Sequence, residues 1–153
     1  MKLQQNTRLA LYSLLEFAAD PTRHIAASEI AQKYGVSPHH LAKVLAELAR
    51  AGVVQSVRGV GGGYRFAGNA RRLTMMDIVA RFEETSPPET EPTPGARAIA
   101  RVLGEIDEIA KATFSSITLA TLLRSMQREP EGEAAADPPA PATAVASGRG
   151  LRG

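Results

Sequence analysis

Leu11, Leu14, Leu15 and Ala18 recur at the i, i+3, i+4, i+7 spacing of a buried helical face. They predict a first helix ending near Ala19, with Asn6 or Thr7 as its cap and Asp20-Pro21 as its stop, since proline disfavours a helical residue before it. A short second helix is expected from about Ala27 to Tyr34, with Ile30 and Ala31 pointing inward and Gly35 as a left-handed end. The third start signal is stronger. Ser37 is a good N-cap, and Pro38 sits at the first helical position, where its missing N–H costs nothing. Leu41, Val44, Leu45 and Leu48 then fit a buried face, and Gly52 ends the segment. Two helices joined by a tight turn at 35–37 form a helix-turn-helix pattern.

The pattern changes after Gly52. Residues 53–57 are rich in valine and read as a strand, and Tyr64-Arg65-Phe66 reads as its return. Between them lies the glycine-rich turn Arg58-Gly59-Val60-Gly61-Gly62-Gly63. Thr74 caps the next helix, with Asp77 in capping-box position and Met75, Ile78, Val79 and Phe82 on its apolar face. Residues 85–95 are rich in proline, acid and hydroxyl side chains and read as a linker. A long amphipathic helix is expected from about Ala96 to Ser115, with Ile99, Val102, Leu103, Ile106, Ile109 and Thr113 on one stripe. A last short helix spans about Thr118 to Met126, and the Ala/Pro/Gly-rich residues 127–153 read as a disordered tail. The predicted organisation is therefore a winged helix-turn-helix domain (1–84), a linker (85–95), a helical segment (96–126) and a tail (127–153). The fold class is mainly α with a small β-hairpin wing.

Composition narrows the function. The chain has 153 residues and no cysteine, which removes disulfides, thiolate metal sites and cysteine nucleophiles. It shows no secretory signal and no apolar run near the roughly 18 residues of a membrane helix, so a cytoplasmic location without membrane contact is expected. The net charge of +2 is unevenly placed. Residues 1–84 carry 11 Lys/Arg against 7 Asp/Glu, and residues 85–153 carry 7 against 9. Between Gly35 and Arg72, Lys43, Arg50, Arg58, Arg65, Arg71 and Arg72 face one acid, Glu47. A local basic excess of this kind attracts polyanions.

A helix-turn-helix followed by a basic hairpin is the layout of a winged-helix DNA-binding domain, whose second helix enters the major groove. On that helix His39, His40, Lys43, Glu47 and Arg50 are expected to point outward. The histidines lie in the first turn, nearest base edges, while Lys43 and Arg50 are better placed for phosphates. Arg58 and Arg65 flank the tip, where a wing arginine can enter a narrow minor groove. The glycine run is not a nucleotide loop, since no Gly-Lys-Ser/Thr follows and the chain returns as a strand. Adjacent His39 and His40 diverge by about 100° on a helix and cannot share a metal ion. No catalytic set is visible, so an enzyme is not expected. The stripe from Ile99 to Ile109 has no partner within so small a domain, which predicts pairing with a second copy. Two recognition helices would then meet a palindromic DNA site about 34–36 Å apart. The alternative is a winged helix that docks its basic face on an acidic protein partner.

The order of motifs resembles the Rrf2 family of bacterial winged-helix regulators, which includes the iron–sulfur assembly regulator and the nitric-oxide-sensing repressor. The resemblance is carried by the opening Met-Lys-Leu with residues 9–15, Glu29-Ile30-Ala31, Val36-Ser37, residues 40–45, Leu48 and Ala51-Gly52. Its most specific part is Ser56-Val57-Arg58-Gly59 with Gly61 to Ala67. Leu73-Thr74, Asp77-Ile78-Val79 and Thr118 to Leu122 extend it, so it covers residues 1 to about 126. The resemblance implies a homodimeric regulator, usually a repressor, of double-stranded DNA. It places Ser37, His39, His40, Lys43, Arg58, Gly62, Gly63 and Tyr64 where the family touches DNA.

The family's sensors hold an iron–sulfur cluster on three cysteines ahead of the long helix. Residues 85–97 contain none, and Ala96 stands where a third cysteine often sits. Arg8 occupies the position of a further acidic ligand used by some members. Neither alanine nor arginine replaces a thiolate, so no cofactor of that kind is expected. An unidentified small-molecule effector or a partner protein remains open as the signal.

Overall fold

The computed structural model describes residues 2–83 and 93–128. Helix α1 (Gln5–Ala19) begins earlier than expected, so neither Asn6 nor Thr7 is its cap. Gln4 holds the cap position without a side-chain bond of its own. The missing acceptor comes from across the fold: Glu83 Oε1 accepts the Gln4 N–H at 2.8 Å and the Thr7 hydroxyl. This bond satisfies the hydroxyl of Thr7, which is buried along a face shared with Leu11, Leu14, Phe17 and Ala18.

Helix α2 (Ala27–Tyr34) closes on Gly35, whose φ of +62° is the left-handed end expected there. Helix α3 (Pro38–Arg50) starts at Ser37, which accepts the His40 N–H. Leu41, Val44, Leu45 and Leu48 are all buried, as their spacing predicts. A polar tie joins α1 to α2: Glu16 accepts from Lys33 Nζ and from Tyr34 OH, each at 2.6 Å. The Tyr34 ring also stacks on Tyr12, with centroids 5.0 Å apart.

Strands β1 (Val54–Val57) and β2 (Gly63–Phe66) pair antiparallel, with Val54 opposite Phe66 and Val57 opposite Gly63. The hairpin is not free-standing. Ile25, in the loop between α1 and α2, exchanges two backbone bonds of 2.8 Å with Tyr64. Helix α4 (Met75–Phe82) has the expected capping box between Thr74 and Asp77. Its Ile78 and Val79 are buried, while Met75 and Phe82 pack at the margin of the core.

Helix α5 (Pro94–Ser116) begins two residues before the expected start, inside the expected linker. Thr93 accepts the Ala96 N–H and Pro94 occupies the first turn, so the last linker residues serve as a helix start. Residues 84–92, the rest of that linker with one residue before it, lie outside the described residues. Helix α6 (Leu119–Arg128) outruns its expected end at Met126, and the remaining tail, 129–153, lies outside the described residues. The chain returns from α5 to the first domain through backbone bonds. Met75 donates to Ile117, Leu119 to Leu73 and Ala120 to Ala70, each at 2.8 Å. Leu119 is thereby buried in the core that α1 and α3 share.

Candidate nucleic-acid interface

The buried stripe of α3 fixes which of its side chains face out. His39, Lys43 and Arg50 are exposed, as expected, Ser37 ahead of the helix is exposed too, and Glu47 is part-buried. Arg50 is ion-paired with Glu47 one turn away. His40 departs from expectation. It is half-buried, and its Nε2 is sealed from solvent with no hydrogen-bond partner among the described residues. Helical geometry explains this, because residue 40 lies only about 40° around the axis from Val44. His40 therefore sits on the shoulder of the buried face, not on its crest.

Beside α3 runs an open groove of about 500 Å³. His39, Lys43, Glu47 and Arg50 line it from α3, and Asn6 and Phe82 line it from α1 and α4. The sequence reading missed Asn6 and Phe82 as members of this site. No local pattern could have shown them, since they reach α3 only through the packing of three helices.

At the wing, the tip is open. Arg58, Gly59, Val60 and Gly61 are exposed. Arg65 also faces solvent, but the Gln55 side chain opposite accepts from its Nε at 3.1 Å and its terminal nitrogen at 2.7 Å. That cross-strand bond ties the guanidinium to the neighbouring strand. Tyr64 is half-buried, with its ring centroid 6.3 Å from that of Phe17. Its ring anchors the hairpin to α1 instead of standing free on the wing. Gly62 and Gly63 are needed by the fold itself. A Cβ at Gly62 would lie 2.4 Å from the Val57 carbonyl oxygen, and one at Gly63 2.5 Å from that of Ile25. The close approach these glycines permit is thus to the protein's own backbone.

Helix α5 buries none of its residues. Ile99, Val102, Leu103, Ile106 and Ile109 are each 51–68% exposed, an apolar stripe about 15 Å long at 1.5 Å per residue.

The residues present do not fit a thiolate-held cluster. The sequence contains no cysteine, Ala96 is in the first turn of α5, and Arg8 is exposed on α1. No group of three or more His, Asp or Glu that could hold a metal ion occurs among the described residues. No helix among them is long and apolar enough to cross a membrane.

Comparison with known proteins gives a consistent picture. Residues 3–125 match the family model Rrf2, described as an iron-dependent transcriptional regulator. BadM of Rhodopseudomonas palustris, named as an HTH-type transcriptional regulator, is 47% identical over 133 residues, covering 84% of this chain and 85% of that protein. Among solved structures, CymR of B. subtilis, titled the global cysteine regulator, superposes with a TM-score of 0.70 at 26% identity. The match covers 82% of this chain and 98% of CymR. IscR of T. potens shares the fold, with a TM-score of 0.68 at 24% identity over 88% of this chain and 94% of that one.

Proposed function

The chain belongs to the Rrf2 family of transcriptional regulators, and from that premise we propose that it binds a two-fold symmetric operator as a homodimer. It is a regulator and not an enzyme, as are its family and relatives. The observation that carries the reading is the pairing of an exposed α3 face with an exposed wing tip. Ser37, His39 and Lys43 on the one, and Arg58 on the other, present donors and positive charge to a duplex. Lys43, Arg50 and Arg65 suit phosphate contact, while Arg58, free of any ion pair among the described residues, suits a groove. Gly62, Gly63 and Tyr64 act indirectly, by holding the wing where Arg58 can reach DNA. His40 lines the groove from the shoulder of α3.

The exposed stripe of α5 supports the dimer, because an unpaired face of five large aliphatic side chains is more readily explained by a second copy than by solvent. The family resemblance supports a repressor acting in the cytoplasm, and a sequence without cysteine has no ligands for a thiolate-held cluster. The repressor's signal would then be a small molecule or a partner protein.

The test is selection of duplexes from a random pool, followed by fluorescence anisotropy at two salt concentrations. An enriched two-fold symmetric site, with affinity falling at a slope of about −0.9 per neutralised phosphate, supports the reading. Arg58→Ala should weaken binding by about 1–3 kcal/mol. No enrichment by the wild-type protein would overturn DNA recognition and favour an acidic protein partner.

A further inference from the structure

The groove beside α3 has a wall that the recognition helix does not supply. Asn6, in the first turn of α1, and Phe82, at the end of α4, stand across it from His39 and Lys43. Neither the Asn6 amide nor the Lys43 ammonium has a partner among the described residues. Val44 and Phe82 add apolar surface to the groove, and the one acid, Glu47, is already paired with Arg50. The uncommitted groups of the groove are therefore one cation, one amide and the imidazoles of His39 and His40.

The dimensions of DNA restrict what lies there. A helix about 10–12 Å across fills a major groove about 12 Å wide. The two sugar–phosphate strands must then pass along its flanks, and a trough on one flank is where one of them runs. Asparagine is a common donor to phosphate oxygens.

Building on the proposed DNA reading, we infer that the first turn of α1 is a second DNA-contacting element, with Asn6 donating to the strand in this groove and Glu83 positioning it. Glu83 ends α4, one residue beyond Phe82. Its carboxylate fixes the start of α1 by accepting from the Gln4 N–H and the Thr7 hydroxyl, on either side of Asn6. The turn has no side-chain cap of its own. Its placement against α3 therefore depends on a residue from the far end of the domain.

The experiment measures affinity for a duplex selected by the wild-type protein, across a salt series, with thermal melts as a check of folding. Asn6→Ala should lose about ten- to a hundredfold in affinity per contact, the worth of one hydrogen bond to a charged phosphate. Its salt slope should stay unchanged, because no cation is removed. Lys43→Ala should flatten that slope by about 0.9 per site. Asn6→Asp sets a carboxylate against phosphate and should lose more than Asn6→Ala. Glu83→Gln retains an acceptor oxygen and should bind like the wild type, whereas Glu83→Ala should lose affinity as Asn6→Ala does. Wild-type affinity in both Asn6 variants, with Arg58→Ala weakened, would overturn the inference and leave the DNA reading standing. Failure of the wild-type protein to select any duplex would overturn both.

Discussion

Replacing Gly63 with alanine should detach the wing from the helical core. The added Cβ would lie 2.5 Å from the Ile25 carbonyl oxygen, 2.7 Å from its carbon and 3.0 Å from the Ala26 nitrogen. All three neighbours are backbone, so no side chain can swing aside. Relief requires β2 and the α1–α2 loop to part by about 1 Å, judged against the usual 3.5–4.0 Å carbon contact. That movement breaks both 2.8 Å bonds between Ile25 and Tyr64. Two backbone bonds at about 1 kcal/mol each, plus about 1–3 kcal/mol for a side chain at φ +149°, give a loss of about 3–5 kcal/mol. At about 4 °C per kcal/mol for a domain of this size, the midpoint should fall by about 12–20 °C. The assay is thermal unfolding followed by circular dichroism, at matched protomer concentration. Gly61→Ala is the control. Its φ is +74° with nothing within 4 Å, so only the left-handed penalty of about 1–2 kcal/mol applies. Equal losses in the two variants would refute the claim that contact with Ile25 makes Gly63 obligatory.

Other variants probe the remaining elements. Ile106→Asp places a charge in the α5 stripe and should yield monomers, read as a halved mass in light scattering; an unchanged dimer mass would show that α5 is not the seam. Thr74→Ala removes one half of the α4 capping box and should cost about 1 kcal/mol by chemical denaturation, with a loss near zero arguing that the cap is redundant. Burial raises the Glu16 carboxyl pKa, but hydrogen bonds from Lys33 and Tyr34 and the charges of Lys33 and Arg23 outweigh it, leaving the pKa lowered. A lowered carboxyl contributes stability above its unfolded pKa and loses it as pH falls through the folded value. Glu16→Gln should therefore flatten the acid side of the stability profile, and an unaltered acid limb would count against the tie.

The local segments of this protein were legible because each rests on short-range physics. The boundaries of α2, the Ser37-Pro38 start of α3 and the Thr74–Asp77 box are contained within a few residues, and all three occur as the sequence predicts. The α5 start was misplaced because Thr93-Pro94 sits in a stretch whose prolines read as linker, although proline in a first helical turn is itself a start signal. The α1 cap was misassigned for another reason. Asn6 and Thr7 have cap chemistry, but the groups that settled the helix start lie at Glu83.

The candidate site divides in the same way. Periodicity alone determined that Leu41, Val44, Leu45 and Leu48 turn inward, and so that Lys43 and Arg50 turn out. It also determined a wing whose arginines flank a glycine tip, and, through the absence of cysteine, the lack of ligands for a thiolate cluster. Only the tertiary structure decided that His40 is half-buried, that Tyr64 leans on Phe17, and that Gly62 and Gly63 yield to the protein's own carbonyls. It alone set Asn6 and Phe82 across a groove from α3. The physical reason is range. Helical period and capping act over three or four residues, and the sequence records them directly. Contacts such as Gly63 with Ile25, or Glu83 with Thr7, join residues far apart in the chain and exist only once several elements have packed.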